Sequence, residues 1–233
     1  MTAQTGEMLK RLGIAVVFGI AFAYIESAVV VYLRVIFHPN GFTFPLEVFG
    51  VTAEAKRLLL TEIGRETATI VLILTAAWLF GRFVWERVAY FLAIFAVWDV
   101  FYYFWLKVLL DWPASIMDWD VLFLIPAVWA SPTLYPVLVS VLMFAFAAAI
   151  LHRCAHGRLL IVARGDWLGW LVSVGIVVAS FCLGGRHITR ADYVEHFPPW
   201  LFAIGYVLGT GVCARVLLRN GRHGGMQACA GPT

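Results

Sequence analysis

Apolar residues run through this chain in long unbroken blocks, with neither the two-residue alternation of a half-buried strand nor a narrow helical stripe. The first block, Leu12 to Phe37, is too long for a signal-peptide core and is followed by no small-residue cleavage site, so it predicts a retained transmembrane helix. A second begins after Pro45 with an amphipathic stretch, Val51 to Arg65, and is fully apolar from Thr67 to Phe80; a third covers Val88 to Leu110. A fourth region, Val121 to Leu151, would measure about 46 Å as one helix at about 1.5 Å per residue, well beyond a hydrocarbon core of about 30 Å. Pro126, Pro132 and Pro136 therefore predict a break. Val121 to Ala130 reads as a short half-inserted piece and Pro132 to Leu151 as the spanning helix, with Ser131 as N-cap and Pro132 at the first helical position. The fifth span is Trp167 to Leu183, with Asp166 as its cap, and the sixth is Trp200 to Leu218.

These blocks predict an all-α, polytopic integral membrane helix bundle of six transmembrane helices with a proline-broken fourth region. Residues 1–219 form one transmembrane domain, and 220–233, rich in glycine and small residues, form a disordered cytoplasmic tail. Composition agrees: of 233 residues 62% are hydrophobic and only 13% charged, where soluble domains carry about 25% charge. Six spans place both termini on one side. With that side cytoplasmic, ten of the seventeen Lys and Arg (Lys10, Arg11, Arg82, Arg87, Arg153, Arg158, Arg164, Arg215, Arg219 and Arg222) fall inside, as the positive-inside rule requires. The expected location is a bacterial inner membrane, with the lipid bilayer as the obligatory partner and a homo-oligomer or larger membrane complex as the expected assembly. The net charge of +3 is dispersed, which excludes the clustered basic footprint of a nucleic-acid binder. No internal repeat supports an inverted-repeat transporter. The cysteines, Cys154, Cys182, Cys213 and Cys229, show no C-x-x-C spacing and no disulfide framework.

The chemistry lies in the charges inside the apolar blocks, each costing about 2.5–3.5 kcal/mol on insertion scales. Glu26 lies past the middle of the first helix and Asp99 near the middle of the third. Glu62, Arg65 and Glu66 open the second helix, and Asp120 opens the fourth region. On the topology above, all fall in the outer half of the bilayer. Glu62 and Glu66 share a helical face with Arg65 beside them, and Tyr102 and Tyr103 stand one turn beyond Asp99, where phenols can hydrogen-bond carboxylates. The loop Asp111 to Asp120 sets three carboxylates among tryptophans and would roof the buried acids.

The candidate ligand-binding set is therefore Glu26, Glu62, Arg65, Glu66, Asp99, Tyr102, Tyr103 and Asp120, with Glu26, Glu66 and Asp99 expected in contact as ligands of a divalent metal ion, the candidate cofactor. Carboxylates outnumber nearby bases, and like acids in a low dielectric must share protons or hold a cation. The competing structural reading is a neutralised ionic knot that glues the first three helices together. Weaker candidates are His152, Cys154 and His156 as a zinc site lacking a fourth ligand, His187 and His196 near Asp192 and Glu195 as a pH-sensing pair, and Asp118 with Asp120 as a carboxylate pair. No H-E-x-x-H or G-x-S-x-G motif occurs.

Three functions follow: an outward-facing acidic pocket that binds or transports a cation, proton or small cationic molecule; an intramembrane enzyme using Glu and Asp, with or without metal, on a lipid or isoprenoid substrate; and an accessory structural subunit of a membrane complex.

Overall fold

The structure, a computed structural model, describes residues 3–38, 41–46, 53–158 and 160–222. It comprises α1 (Ala3–Phe37), α2 (Ala53–Phe80), α3 (Val84–Leu110), the strands β1 (Trp119–Phe123) and β2 (Trp129–Pro132), α4 (Leu134–Ala155), α5 (Arg164–Gly185), a 3₁₀ turn at Tyr193–His196 and α6 (Pro199–Arg222). All six helices are long and apolar enough to cross a membrane. The protein is an integral membrane helix bundle, and the sheet among its described residues is the single hairpin β1–β2.

The spans are apolar on every side because their outer faces meet lipid: Leu79, Leu171, Val207 and Leu218 are all exposed. Contacts between helices instead use small residues, since apolar side chains gain little by leaving lipid for one another and close backbone approach supplies the attraction. Ala23 of α1 and Ala89, Ala93 and Ala96 of α3 are completely or almost completely buried. α3 is the central helix, packed against α1, α2 and α4. α5 and α6 form a second unit in which the Ser173 hydroxyl donates to the Gly205 carbonyl (2.8 Å), and this unit meets the rest through β2 and through α4 against α6.

At the end carrying the N-terminus, Asp166 ties that unit together. It is not the N-cap but a first-turn residue of α5, whose carboxylate accepts the Ala163 N–H (2.8 Å) and pairs with Arg215 and Arg219 (2.6 Å) of α6. Arg153 of α4 donates to the Leu217 carbonyl (2.6 Å).

The fourth region is broken, by a different device from the expected short inserted piece followed by a helix at Pro132. Val121, Phe123 and Trp129 are β-branched or aromatic, and Pro126 lies in the turn between them, so the segment pairs with itself as an antiparallel hairpin: Trp119 faces Pro132, Asp120 faces Ser131, and an irregularity follows Val121. Buried backbone groups need partners, and the ladder supplies them. Pro132 closes β2, Thr133 is the N-cap, and α4 starts at Leu134 with Pro136 in its first turn, where no intrahelical N–H bond is lost. The tail expected from 220 is helical through Arg222; residues 223–233, with Cys229, lie outside the described residues, as do 51–52 at the start of the predicted amphipathic stretch.

Candidate functional site

The end of α1, the first turns of α2, the second half of α3 and the hairpin converge on a cavity of about 820 Å³, within the range of small-molecule sites. All eight residues singled out from the sequence line it: Glu26, Glu62, Arg65, Glu66, Asp99, Tyr102, Tyr103 and Asp120. The carboxylates occupy one end. From there an apolar passage runs between α3, α4 and α5, past Phe95, Met143, Phe146 and Val174, to Trp85 and Trp167 near the opposite end. Trp85 to Tyr103 covers roughly 27 Å of α3 at about 1.5 Å per residue, close to the thickness of a hydrocarbon core.

Every one of these acids has a partner, and two of them share Arg65. Arg65 donates from Nε (3.0 Å) and Nη2 (2.8 Å) to Glu62 and forms an ion pair with Glu26 of α1. Three-residue spacing on α2 sets the first contact, and the packing of α1 and α2 each against α3 sets the second. Glu26, only 4% exposed, also accepts the Thr69 hydroxyl (2.5 Å). Glu66 reaches the hairpin and accepts the Leu124 N–H (2.9 Å), satisfying a backbone donor where β1 has ended. Asp99 accepts the Ser140 hydroxyl of α4 (2.8 Å).

Asp120 pairs with Arg34 of α1 at 3.3 Å, and the Arg34 guanidinium lies over the rings of Phe42 (4.2 Å) and Trp112 (3.8 Å). Those aromatic faces favour the cation, which is itself buried. Burial pushes the Asp120 carboxyl up from the ordinary carboxylate range, with Arg34 and the neighbouring Tyr103 acting in the opposite direction.

The three acids expected around one metal ion have separate partners in this arrangement. Glu26, Glu66 and Asp99 share the cavity but turn to Arg65 and Thr69, to Leu124 and to Ser140 respectively. Among the described residues no three His, Cys, Asp or Glu side chains are grouped to hold a metal ion. Nor is the cluster a fully neutralised knot: Glu26, Glu62 and Asp120 are paired with two arginines, while Glu66 and Asp99 form no ion pair among the described residues.

The weaker candidates also resolve. Asp118 accepts the N–H groups of Ala114 (2.7 Å) and Ser115 (3.2 Å), closing a turn instead of joining Asp120. The rings of His152 and His156 meet at 4.3 Å, tilted by 44°, and those of His187 and His196 stack at 3.8 Å. Asp192 contacts His196 (3.2 Å), and the hydrogen bonds from Arg190 hold the Asp192 carboxyl well below the usual range.

Sequence reasoning missed several lining residues. Arg34 was visible only as a charge near a helix end, and its choice of Asp120, 86 residues away, has no local trace. Thr69 and Ser140 are ordinary small polar residues until Glu26 and Asp99 are placed against them. Trp98 and Trp129 also line the cavity, and their buried indole nitrogens have no hydrogen-bond partner among the described residues, a condition that costs about 1–3 kcal/mol per group. Comparison with protein-family models, with curated proteins and with solved structures gives no match.

Proposed function

We propose that this integral membrane protein binds an amphiphile, holding a cationic head among the carboxylates and the hydrocarbon tail in the passage between α3, α4 and α5. One observation carries the reading: five carboxylates and two guanidiniums line one end of a cavity whose remaining length is apolar. A bare ion or proton would have no use for that apolar length. A neutral or anionic lipid would leave Glu66 and Asp99 uncompensated in a low dielectric. The lysine and arginine distribution supports an orientation in which the carboxylate end faces outward and both termini are cytoplasmic, in a bacterial inner membrane. A reporter fused after Arg222 then lies in the cytoplasm and one inserted within 111–118 lies outside; exchanged compartments would reverse that topology, and a shared compartment would refute the six spans.

The binding test is a thermal-shift series on detergent-purified protein with a long-chain primary amine, the alcohol and fatty acid of equal chain length, and Mg²⁺, Mn²⁺ and Zn²⁺. The amine is expected to stabilise the wild type by about 2.7 kcal/mol at a hundredfold excess over Kd, while the alcohol and acid do not. Glu66→Gln and Asp99→Asn should each weaken that stabilisation. Equal stabilisation by amine and alcohol, or stabilisation by a divalent ion without any by the amine, would overturn the proposal.

A further inference from the structure

The apolar passage is open on one side, and that opening bears on the tail of the ligand; this step rests on the reading of an amphiphile in the cavity. α5 packs against α6 and β2 and makes no extended contact with α2 or α3 among the described residues. Two aromatic rungs join α3 to α5 across the interval. The first, at the hairpin, stacks Phe95 of α3 on Phe123 of β1 (ring centroids 6.5 Å), sets Phe123 beside Trp129 of β2 (5.6 Å) and stacks Trp129 on Phe181 of α5 (6.2 Å). The second, at the opposite end, stacks Trp85 of α3 directly on Trp167 of α5 (6.0 Å). Trp167 continues through Trp170 (5.6 Å) to Phe146 of α4 (5.6 Å), so that rings from three helices floor the passage.

Between the rungs, Trp85 to Phe95 covers about 15 Å of α3 and Trp167 to Phe181 about 21 Å of α5, at about 1.5 Å per residue. Val88 and Leu92 of α3 and Val174 and Val178 of α5 line the cavity over this interval, and all are apolar. Val174 is also 60% exposed, and beside it nothing lies within 4 Å of where a methyl group on Gly175 would stand, so the cavity wall and the outer surface of the bundle meet there. Both helices are long and apolar enough to cross a membrane, which places hydrocarbon outside the opening. An alkyl chain leaving the cavity at this rim exchanges valine and leucine side chains for lipid tails of the same polarity, whereas a charged group would find no partner. The geometry points to a lateral portal between α3 and α5 through which the alkyl tail of the bound amphiphile runs out into the bilayer, so that the site sets no ceiling on tail length. A sealed passage would set one, because from Asp99 to the ring floor at Trp85 is only about 21 Å of α3 at about 1.5 Å per residue.

The test is a chain-length series read by native mass spectrometry on the detergent-purified full chain, with dodecylamine, hexadecylamine and docosylamine offered at equal mole fraction in the micelle. The extended docosyl chain is longer than a sealed passage would hold. The wild type is expected to bind all three within about twofold, because the added methylenes stay in an apolar medium. Val174→Trp sets a large ring in the portal and should weaken docosylamine about tenfold, within the ordinary cost of overpacking, while dodecylamine binds as before. Leu168→Trp makes the same enlargement at an exposed position of α5 outside the lining and should leave the series flat. Docosylamine with a diazirine at the end of its tail, photolysed on wild type in lipid nanodiscs, should label bilayer lipid. Labelling confined to Trp85, Phe146, Trp167 and Trp170 would mean a chain folded against the floor and would overturn the inference. A wild-type affinity that falls about tenfold from dodecylamine to docosylamine overturns it too, as does a Val174→Trp protein that binds docosylamine undiminished or loses both amines equally. Should Val174→Trp fail to fold, the wild-type series and the photolabel decide. Failure of every amine to bind the wild type refutes the amphiphile reading itself, a result distinct from a ceiling on tail length.

Discussion

Replacing Arg65 by leucine should destabilise the protein by about 3–5 kcal/mol, the cost of breaking a buried ion pair from one side. Arg65 serves two acids on two helices, Glu62 within α2 and Glu26 of α1, and Glu26 is 4% exposed. Without the guanidinium, the Glu26 carboxyl keeps, among the described residues, only the Thr69 hydroxyl and must either remain an unpaired charge in a low dielectric or take up a proton. Adding Glu26→Gln to Arg65→Leu removes the stranded charge and should recover half or more of the loss, because the two residues act as one unit and their effects are not additive. The measurement is a double-mutant cycle of unfolding in detergent. An Arg65→Leu protein as stable as the wild type, or a double variant that loses the sum of the two single effects, would show that the pair does not hold α1 to α2.

Gly185→Ala should cost about 3 kcal/mol, the upper end of ordinary overpacking. Gly184 and Gly185 end α5 where the hairpin crosses it, and a methyl group at 185 would collide with the Val128 carbonyl and press on the Trp129 nitrogen at 3.2 Å. The colliding atoms are backbone, so no side chain can rotate away and the hairpin itself must shift. That shift draws the Leu124 N–H from Glu66 and Asp120 from Arg34, so amine binding should fall together with stability. Gly175→Ala on the same helix is the control: nothing lies within 4 Å of the added methyl, and alanine in a helix gains about 0.5–1 kcal/mol over glycine. Melting temperatures that move apart in opposite directions are expected. Equal effects at the two positions would refute the close contact between hairpin and helix.

The six spans are legible from sequence because membrane insertion depends on a local sum, the hydropathy of about twenty consecutive residues; their ends are less so, since α1 begins at Ala3 and not at Leu12. The gathering of the charged residues is legible for a related reason: Glu26, Glu62, Glu66 and Asp99 fall at matching depths on the first three spans, with Asp120 in the connection after the third, and depth follows from counting along each block. Depth does not specify rotation. Which acid meets which partner depends on how the helices turn against one another, and side-chain packing decides that across 43 residues for Thr69 with Glu26 and 86 for Arg34 with Asp120. Hence the three carboxylates expected around one metal have three separate partners. The break in the fourth region was visible in Pro126 and Pro132, whereas its form as a hairpin required the two glycines at the end of α5, which let a strand backbone lie directly on a helix. The unpartnered indoles of Trp98 and Trp129 are likewise a tertiary result: a sequence shows that a tryptophan carries a donor, and only the packed bundle shows whether an acceptor stands opposite it.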